Sequence, residues 1–321
     1  MVANISLSAD PHALKAGIRQ ACSEYGFFLI SDHGVSETLQ KKLEDLTRVF
    51  FNLSLEEKMK ISIKLGGPAW RGFFPVGYEL TSGKSDLKEG IYFGEELGDG
   101  DPRVQNGMPL HGKNLFPELP GFREVVLEHQ AAMTVLGHRL MNLISLSLGL
   151  EENYFLSTYT KDPTILFRIF HYPPSRPELD HEYPWGVGEH TDYGLLTILK
   201  QDQVGGLEIK SRDGDWLAVP PTPGTFVINI GDMLDFLTQG RYRSAPHRVR
   251  NTSNQERYSY PFFFDPGFEA QIESLPLNQR WDEENLYQFR GKYGDYLKNK
   301  VSKVFPDIAI SELNSRSTSV R

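Results

Sequence analysis

Apolar residues recur at helical spacing over residues 11–25, where Leu14, Ile18 and Cys22 share a face and Gly26 ends the run. Phe27-Phe28-Leu29-Ile30 then reads as a short buried strand, followed by a turn at Ser31-Asp32-His33-Gly34. A second helix is expected over residues 37–51. Ser54, with Glu57 three residues later, gives the capping-box pattern of a third, short one. Gly66-Gly67-Pro68 breaks the helical period, and residues 99–119, rich in Gly, Pro and Asn, read as connection. The longest helical pattern covers residues 120–148, opened by Pro120 and closed by Gly149. Its apolar positions, among them Val126, Met133, Leu136, Leu140, Ile144 and Leu148, suit a support helix packed along a barrel; Met133 and Met141 are core fillers.

From Thr164 onward the period shortens to two. Residues 165–172 run up to Pro173-Pro174, and strand alternation places Arg168, Phe170 and Tyr172 on one face. An arginine on such a face is costly to bury alone, so an inward Arg168 must meet an anion, whether a cosubstrate, a buried carboxylate or a carboxylated substrate. The other reading is an arginine at the barrel rim paired with a surface acid. Short strand patterns follow at 205–210, 216–220 and 225–230, separated by Gly, Asp and Pro turns, which predicts a sandwich or jelly roll. A last helical pattern occupies residues 283–304, and the chain has no internal repeat.

Composition narrows the function classes. The net charge of −8, from 34 basic and 42 acidic residues, argues against a nucleic-acid footprint or a basic membrane patch. Cys22 is the only cysteine, so an internal disulfide is excluded and a reducing compartment is expected. The most apolar long segment, residues 135–150, carries His138, Arg139 and Asn142, so no membrane span is expected. The first residues lack the basic and apolar regions of a secretory leader. A cytoplasmic protein acting on a small molecule, with a monomer favoured, is the expectation.

The chemistry concentrates in Gly188-Glu189-His190-Thr191-Asp192-Tyr193-Gly194. In an extended strand His190 and Asp192 look the same way, which sets an imidazole nitrogen beside a carboxylate oxygen. No other histidine of the chain has a carboxylate two residues on. His247, in Ser244-Ala245-Pro246-His247-Arg248-Val249, is the best third ligand. Two histidines and one carboxylate leave open positions on a six-coordinate metal, the arrangement that suits non-haem Fe(II) oxygenases. Beyond His247 the polar Asn251-Thr252-Ser253-Asn254-Gln255 cluster reads as a hairpin turn. A hairpin centred near Thr252 puts His247 roughly opposite Arg257. Arg257, Ser259 and, if Pro261 leaves the pleat intact, Phe263 then share a face. Arg257 offers a rigid fork suited to a carboxylate, with a hydroxyl from Ser259 on the same side.

His190-x-Asp192, His247, Arg257-x-Ser259, the phrase Asn229-Ile230-Gly231-Asp232-Met233, and the N-terminal Gly26-Phe27-Phe28 with His33-Gly34-Val35 together resemble the Fe(II)- and 2-oxoglutarate-dependent dioxygenases of the isopenicillin N synthase-like family. The likeness covers residues 13–266. It implies a mixed α/β fold with a mainly β core, a double-stranded β-helix or jelly roll, carrying a helical N-terminal region and supporting helices. The division it implies is 1–119 for the N-terminal helical and mixed region, 120–305 for the β-helix domain with its support helix, and 306–321 for a loosely held tail.

The resemblance also implies Fe(II) on His190, Asp192 and His247, with 2-oxoglutarate on Arg257 and Ser259 assisted by Tyr172, and O2 as co-reactant. The expected outcome is hydrogen abstraction from an unactivated C–H bond of a small metabolite, with secondary metabolism the natural setting. Hydroxylation, desaturation and ring closure are all open. An inward Arg168 favours a carboxylate-bearing, amino-acid-like substrate. The position of Phe170 is frequently Asn in the family, so a supporting polar contact is missing or replaced. Tyr193 and Phe263 are expected to line the substrate pocket with Arg168, and Arg71, Phe73, Tyr78 and Glu79 fall in a region that often forms another wall. Asp232 matches a turn position. The alternatives are an Fe(II) oxidase that needs no 2-oxoglutarate, as isopenicillin N synthase is, and a non-catalytic or zinc-binding β-barrel.

Overall fold

The computed structural model describes residues 2–174, 185–277 and 290–304. An eight-stranded sheet runs in the order Asn4–Ser6, Phe27–Ser31, Phe226–Ile230, Leu196–Gln201, Arg257–Asp265, Thr164–Tyr172, Glu89–Gly94, Gly72–Phe74. Its strands are antiparallel except where Asn4–Ser6 lies parallel to Phe27–Ser31. A second, four-stranded sheet runs Trp216–Ala218, Leu207–Lys210, His247–Val249, Val187–His190. The main cavity is lined from both sheets. This is the expected jelly roll, made of two sheets that sandwich the site rather than a closed barrel.

Alternation along Arg257–Asp265 shows how sequence builds the layers. Arg257, Ser259, Pro261, Phe263 and Asp265 line the cavity, while Tyr258, Tyr260, Phe262 and Phe264 are buried on the opposite face. Pro261 does not break the pleat, and it stays in register opposite Leu199. Behind this face lies the helix Phe122–Leu148, longest of the described helices, between glycines 121 and 149 in the left-handed conformation. It comes so close to the sheet that a Cβ on Gly137 would sit 2.5 Å from the Phe264 ring, so only glycine fits there.

Two expectations are corrected. His247–Val249 and Arg257–Asp265 are not the arms of one hairpin, because they belong to different sheets. The polar cluster between them turns the chain from one sheet to the other. Asn251 anchors that crossing through its side-chain amide to the Pro173 and Gln255 carbonyls, both at 2.8 Å. The last helix spans Tyr293–Val304, and Gly291–Lys292 before it is extended, paired with Gln271–Ile272. Residues 283–289 and the 306–321 tail lie outside the described residues. Strands from the first 119 residues join the same large sheet as the rest.

Candidate active site

His190 and His247 are direct cross-strand partners in the small sheet, with ring centroids 4.2 Å apart. Asp192 lies just past the end of the His190 strand. Its Oδ1 is 3.8 Å from His190 Nε2 and 3.9 Å from His247 Nε2, and a ligating atom from each of the three falls within 4.8 Å of the others. Each imidazole turns its Nδ1 to a carbonyl two residues back, His190 to Gly188 at 2.8 Å and His247 to Ala245 at 3.2 Å. A proton on Nδ1 leaves the Nε2 lone pairs aimed at the shared centre. The other oxygen of Asp192, Oδ2, accepts from Thr197 Oγ1 at 2.5 Å and Asn229 Nδ2 at 2.7 Å.

Burial and the neighbouring His190 push the His247 pKa down to about 4. Burial alone would raise Asp192, but the two imidazoles and the two hydrogen bonds outweigh it and hold the carboxyl below its ordinary value. A carboxylate beside a neutral imidazole is the protonation state a metal needs.

Arg257 has no exposed surface. Its Nε donates to the Gly205 carbonyl at 2.5 Å, and its guanidinium carbon stands 4.6 Å from the centre of the Tyr172 ring. Among the described residues the two terminal nitrogens have no hydrogen-bond partner. Ser259 Oγ and Tyr172 Oη lie 3.3 Å apart beside it, and Tyr172 faces Arg257 across the strands. A buried guanidinium with both terminal nitrogens unanswered is paired in proteins as a rule. A carboxylate held at two points would answer both nitrogens.

On the same cavity, of about 260 Å³, Arg168 is stacked between Tyr92 at 4.2 Å and Phe263 at 4.8 Å. The anion it meets is Glu79, at 3.7 Å. Glu79 also accepts from Tyr92 and pairs with Lys88 at 2.8 Å, and Lys88 in turn pairs with Asp86. Burial works to raise Glu79, yet Lys88 and Arg168 hold its carboxyl below the ordinary value. Lys88 was not foreseen. Its ammonium sits 5.0 Å from the centre of the Phe170 ring. Tyr193 lines the cavity as expected.

Comparison with known proteins places this geometry. Residues 163–266 match the model of the 2OG-Fe(II) oxygenase superfamily, and residues 2–119 match that of the non-haem dioxygenase in morphine synthesis N-terminal region. A probable iron/ascorbate oxidoreductase of Dictyostelium discoideum is 48% identical over 322 residues, covering 91% of this chain and 88% of that protein. This chain is a 2OG-Fe(II) oxygenase. A homoarginine-6-hydroxylase of Glycine max is 36% identical, covering 94% and 93% of the two chains. The crystal structure of a full-length Neurospora crassa protein in complex with alpha-KG and thymine superposes with a TM-score of 0.79 at 26% identity, over 94% of this chain and 96% of that one. The family uses Fe(II), 2-oxoglutarate and O2. No helix among the described residues is long and apolar enough to cross a membrane.

In this oxygenase three expected wall residues stand elsewhere. Arg71 is buried behind the cavity, donating to the carbonyls of Glu95, Gly112 and Leu110 and to the Asn114 side chain. It ties the connecting segment down. Phe73 is fully buried, edge-on to Phe50 at 5.8 Å. Tyr78 packs beside Phe74 at 6.4 Å and under Lys64 at 5.8 Å, outside the cavity lining. Of the four, only Glu79 lines the cavity. Phe73→Ala is therefore expected to act on stability, costing about 3 to 5 kcal/mol in urea unfolding, with the 2-oxoglutarate affinity of the folded fraction within twofold of the parent. A selective loss of that affinity at full stability contradicts this placement.

Proposed function

We propose that His190, Asp192 and His247 hold the Fe(II), that Arg257 and Ser259 with Tyr172 take the far carboxylate of 2-oxoglutarate, and that the prime substrate is a small, carboxylate-bearing, amino-acid-like metabolite. The observation that carries the cosubstrate assignment is the pair of buried, unpartnered terminal nitrogens on Arg257. When bound, iron and 2-oxoglutarate supply with dioxygen the oxidant that removes hydrogen from an unactivated C–H bond, releasing succinate and carbon dioxide.

The protein's own share is placement. Asp192 is held by Thr197 and Asn229 so that only Oδ1 remains for the ion. Phe27, edge-on to His247 at 5.2 Å, and Leu207 shield the metal end from water. On the substrate side, Arg168 and Lys88 stand beside Glu79. An α-amino acid, carrying one group of each sign, is the simplest metabolite that answers both. Arg168 keeps 20% of its side chain exposed, and it lines the cavity, which leaves it able to meet a carboxylate.

The test is a metabolite screen for substrate-stimulated succinate formation, followed by Arg168→Leu. Its KM for the substrate found is expected to rise about 10-fold or more, the cost of losing a charged hydrogen bond, with the KM for 2-oxoglutarate unchanged. Unchanged KM for both removes the basis for a carboxylate-bearing substrate. Turnover without succinate would instead mark an oxidase that needs no 2-oxoglutarate.

A further inference from the structure

The helix Tyr293–Val304 is pinned at two points onto the segment that follows Asp192. At its start, Tyr293, fully buried, donates to Asp265 Oδ2 at 2.7 Å. Asp265 Oδ1 in turn accepts from the Leu195 backbone at 3.0 Å. A Cβ on Gly194 would lie 1.5 Å from that oxygen, so the approach requires glycine. Nearer its end, Lys300 pairs with Asp232 at 3.1 Å and stands 5.1 Å from the centre of the Tyr193 ring. Asp232 itself donates its backbone N–H to the Asp192 carbonyl at 2.7 Å.

Tyr293, Leu297, Lys300 and Val301 fall at i, i+4, i+7 and i+8, one face of a helix. Leu297, between the pins, and Val301, one residue past the second, are 2% and 6% exposed, and both line the main cavity. The strand Arg257–Asp265 fixes which end of the cavity this is. Its inward residues run from Arg257 to Asp265, roughly 27 Å at about 3.4 Å per residue. The helix is tied to the Asp265 end, the far one from Arg257. Arg168, stacked on Phe263, stands between.

We infer that the Leu297/Val301 face of this helix is the wall on which the substrate's side chain ends, and that these two residues set the length of side chain accepted. The inference rests on the proposed reading in which the charged head of the substrate sits at Arg168. A tail directed away from Arg257 then meets an apolar surface and gains by burial what it loses in water.

The experiment is an anaerobic titration of unbranched α-amino acids of three to eight carbons into the protein loaded with Fe(II) and 2-oxoglutarate. Dissociation constants are read from the perturbation of the metal-to-ligand charge-transfer band, without turnover. The native protein is expected to show a chain-length cut-off. Leu297→Ala and Val301→Ala should each move it to longer chains, the first excluded amino acid gaining about 10-fold, the scale of one methylene in an apolar pocket. Leu297→Phe should move it to shorter ones. The same order of affinities in all four proteins overturns the inference. If no amino acid perturbs the band, the amino-acid reading fails by itself, and the wall is judged by Leu297→Trp against Lys298→Trp, Lys298 being paired with Asp295 on the outer side. Tryptophan emission quenched on loading Fe(II) and 2-oxoglutarate only in Leu297→Trp supports the wall, and equal responses overturn it.

Discussion

His190→Ala is expected to abolish the charge-transfer band that Fe(II) and 2-oxoglutarate give together, and to lower succinate formation by at least about 1000-fold, near 4 kcal/mol of barrier. The reason is geometric. His190 and His247 occupy paired positions of neighbouring strands, and Asp192 Oδ1 stands almost equally far from both Nε2 atoms. Removing one imidazole leaves two ligands, too few to hold the ion in a defined orientation. His190 is only half-buried, so its loss should leave the fold intact, and an unfolding midpoint near that of the parent separates the effect from misfolding. A band of normal intensity in a folded variant would place the iron elsewhere.

The second large effect is at Arg257. Arg257→Leu is expected to raise the dissociation constant of 2-oxoglutarate on the order of 100-fold, within the 2 to 5 kcal/mol cost of truncating one partner of a buried charge pair. Arg257→Lys should recover only part of this, because an ammonium is a point charge and cannot offer two parallel N–H groups to one carboxylate. Arg257 also donates its Nε to the Gly205 carbonyl, so both variants lose that tie. Their difference therefore reports the terminal nitrogens. The measurement is the same anaerobic titration, with KM for 2-oxoglutarate as a second readout. A dissociation constant within twofold of the parent in Arg257→Leu would show that the cosubstrate's far carboxylate binds elsewhere.

Strand parity made much of this site legible in the sequence. A period of two is enough to put His190 with Asp192, and Arg257 with Ser259, on common faces; His247 was the best remaining ligand candidate, and the resemblance agreed with it. Pairings between distant strands were not legible. Lys88 and Asp86 precede Glu89–Gly94, whose pairing with Thr164–Tyr172 sets Tyr92 opposite Arg168; nothing local to either stretch announces the charged cluster. Thr197 and Asn229 meet Asp192 for the same reason, since they face each other on adjacent strands of the large sheet. The expected hairpin after His247 failed because a polar turn looks alike whether it reverses a strand within one sheet or carries it to another. Arg71 misled because a buried arginine satisfied by carbonyls and an amide has no sequence mark distinguishing it from one that faces a ligand.

The order of strands in the large sheet bears on how far the protein can be trimmed. Phe27–Ser31 hydrogen-bonds along Phe226–Ile230, with Phe27 opposite Asn229, the residue that steadies Asp192. A fragment beginning after residue 31 would leave that strand with a bare edge, its N–H and C=O groups open to another chain. The leading thirty or so residues are thus structural members of the catalytic half, and a shortened recombinant fragment starting at the metal-bearing strands is expected to aggregate through that exposed edge.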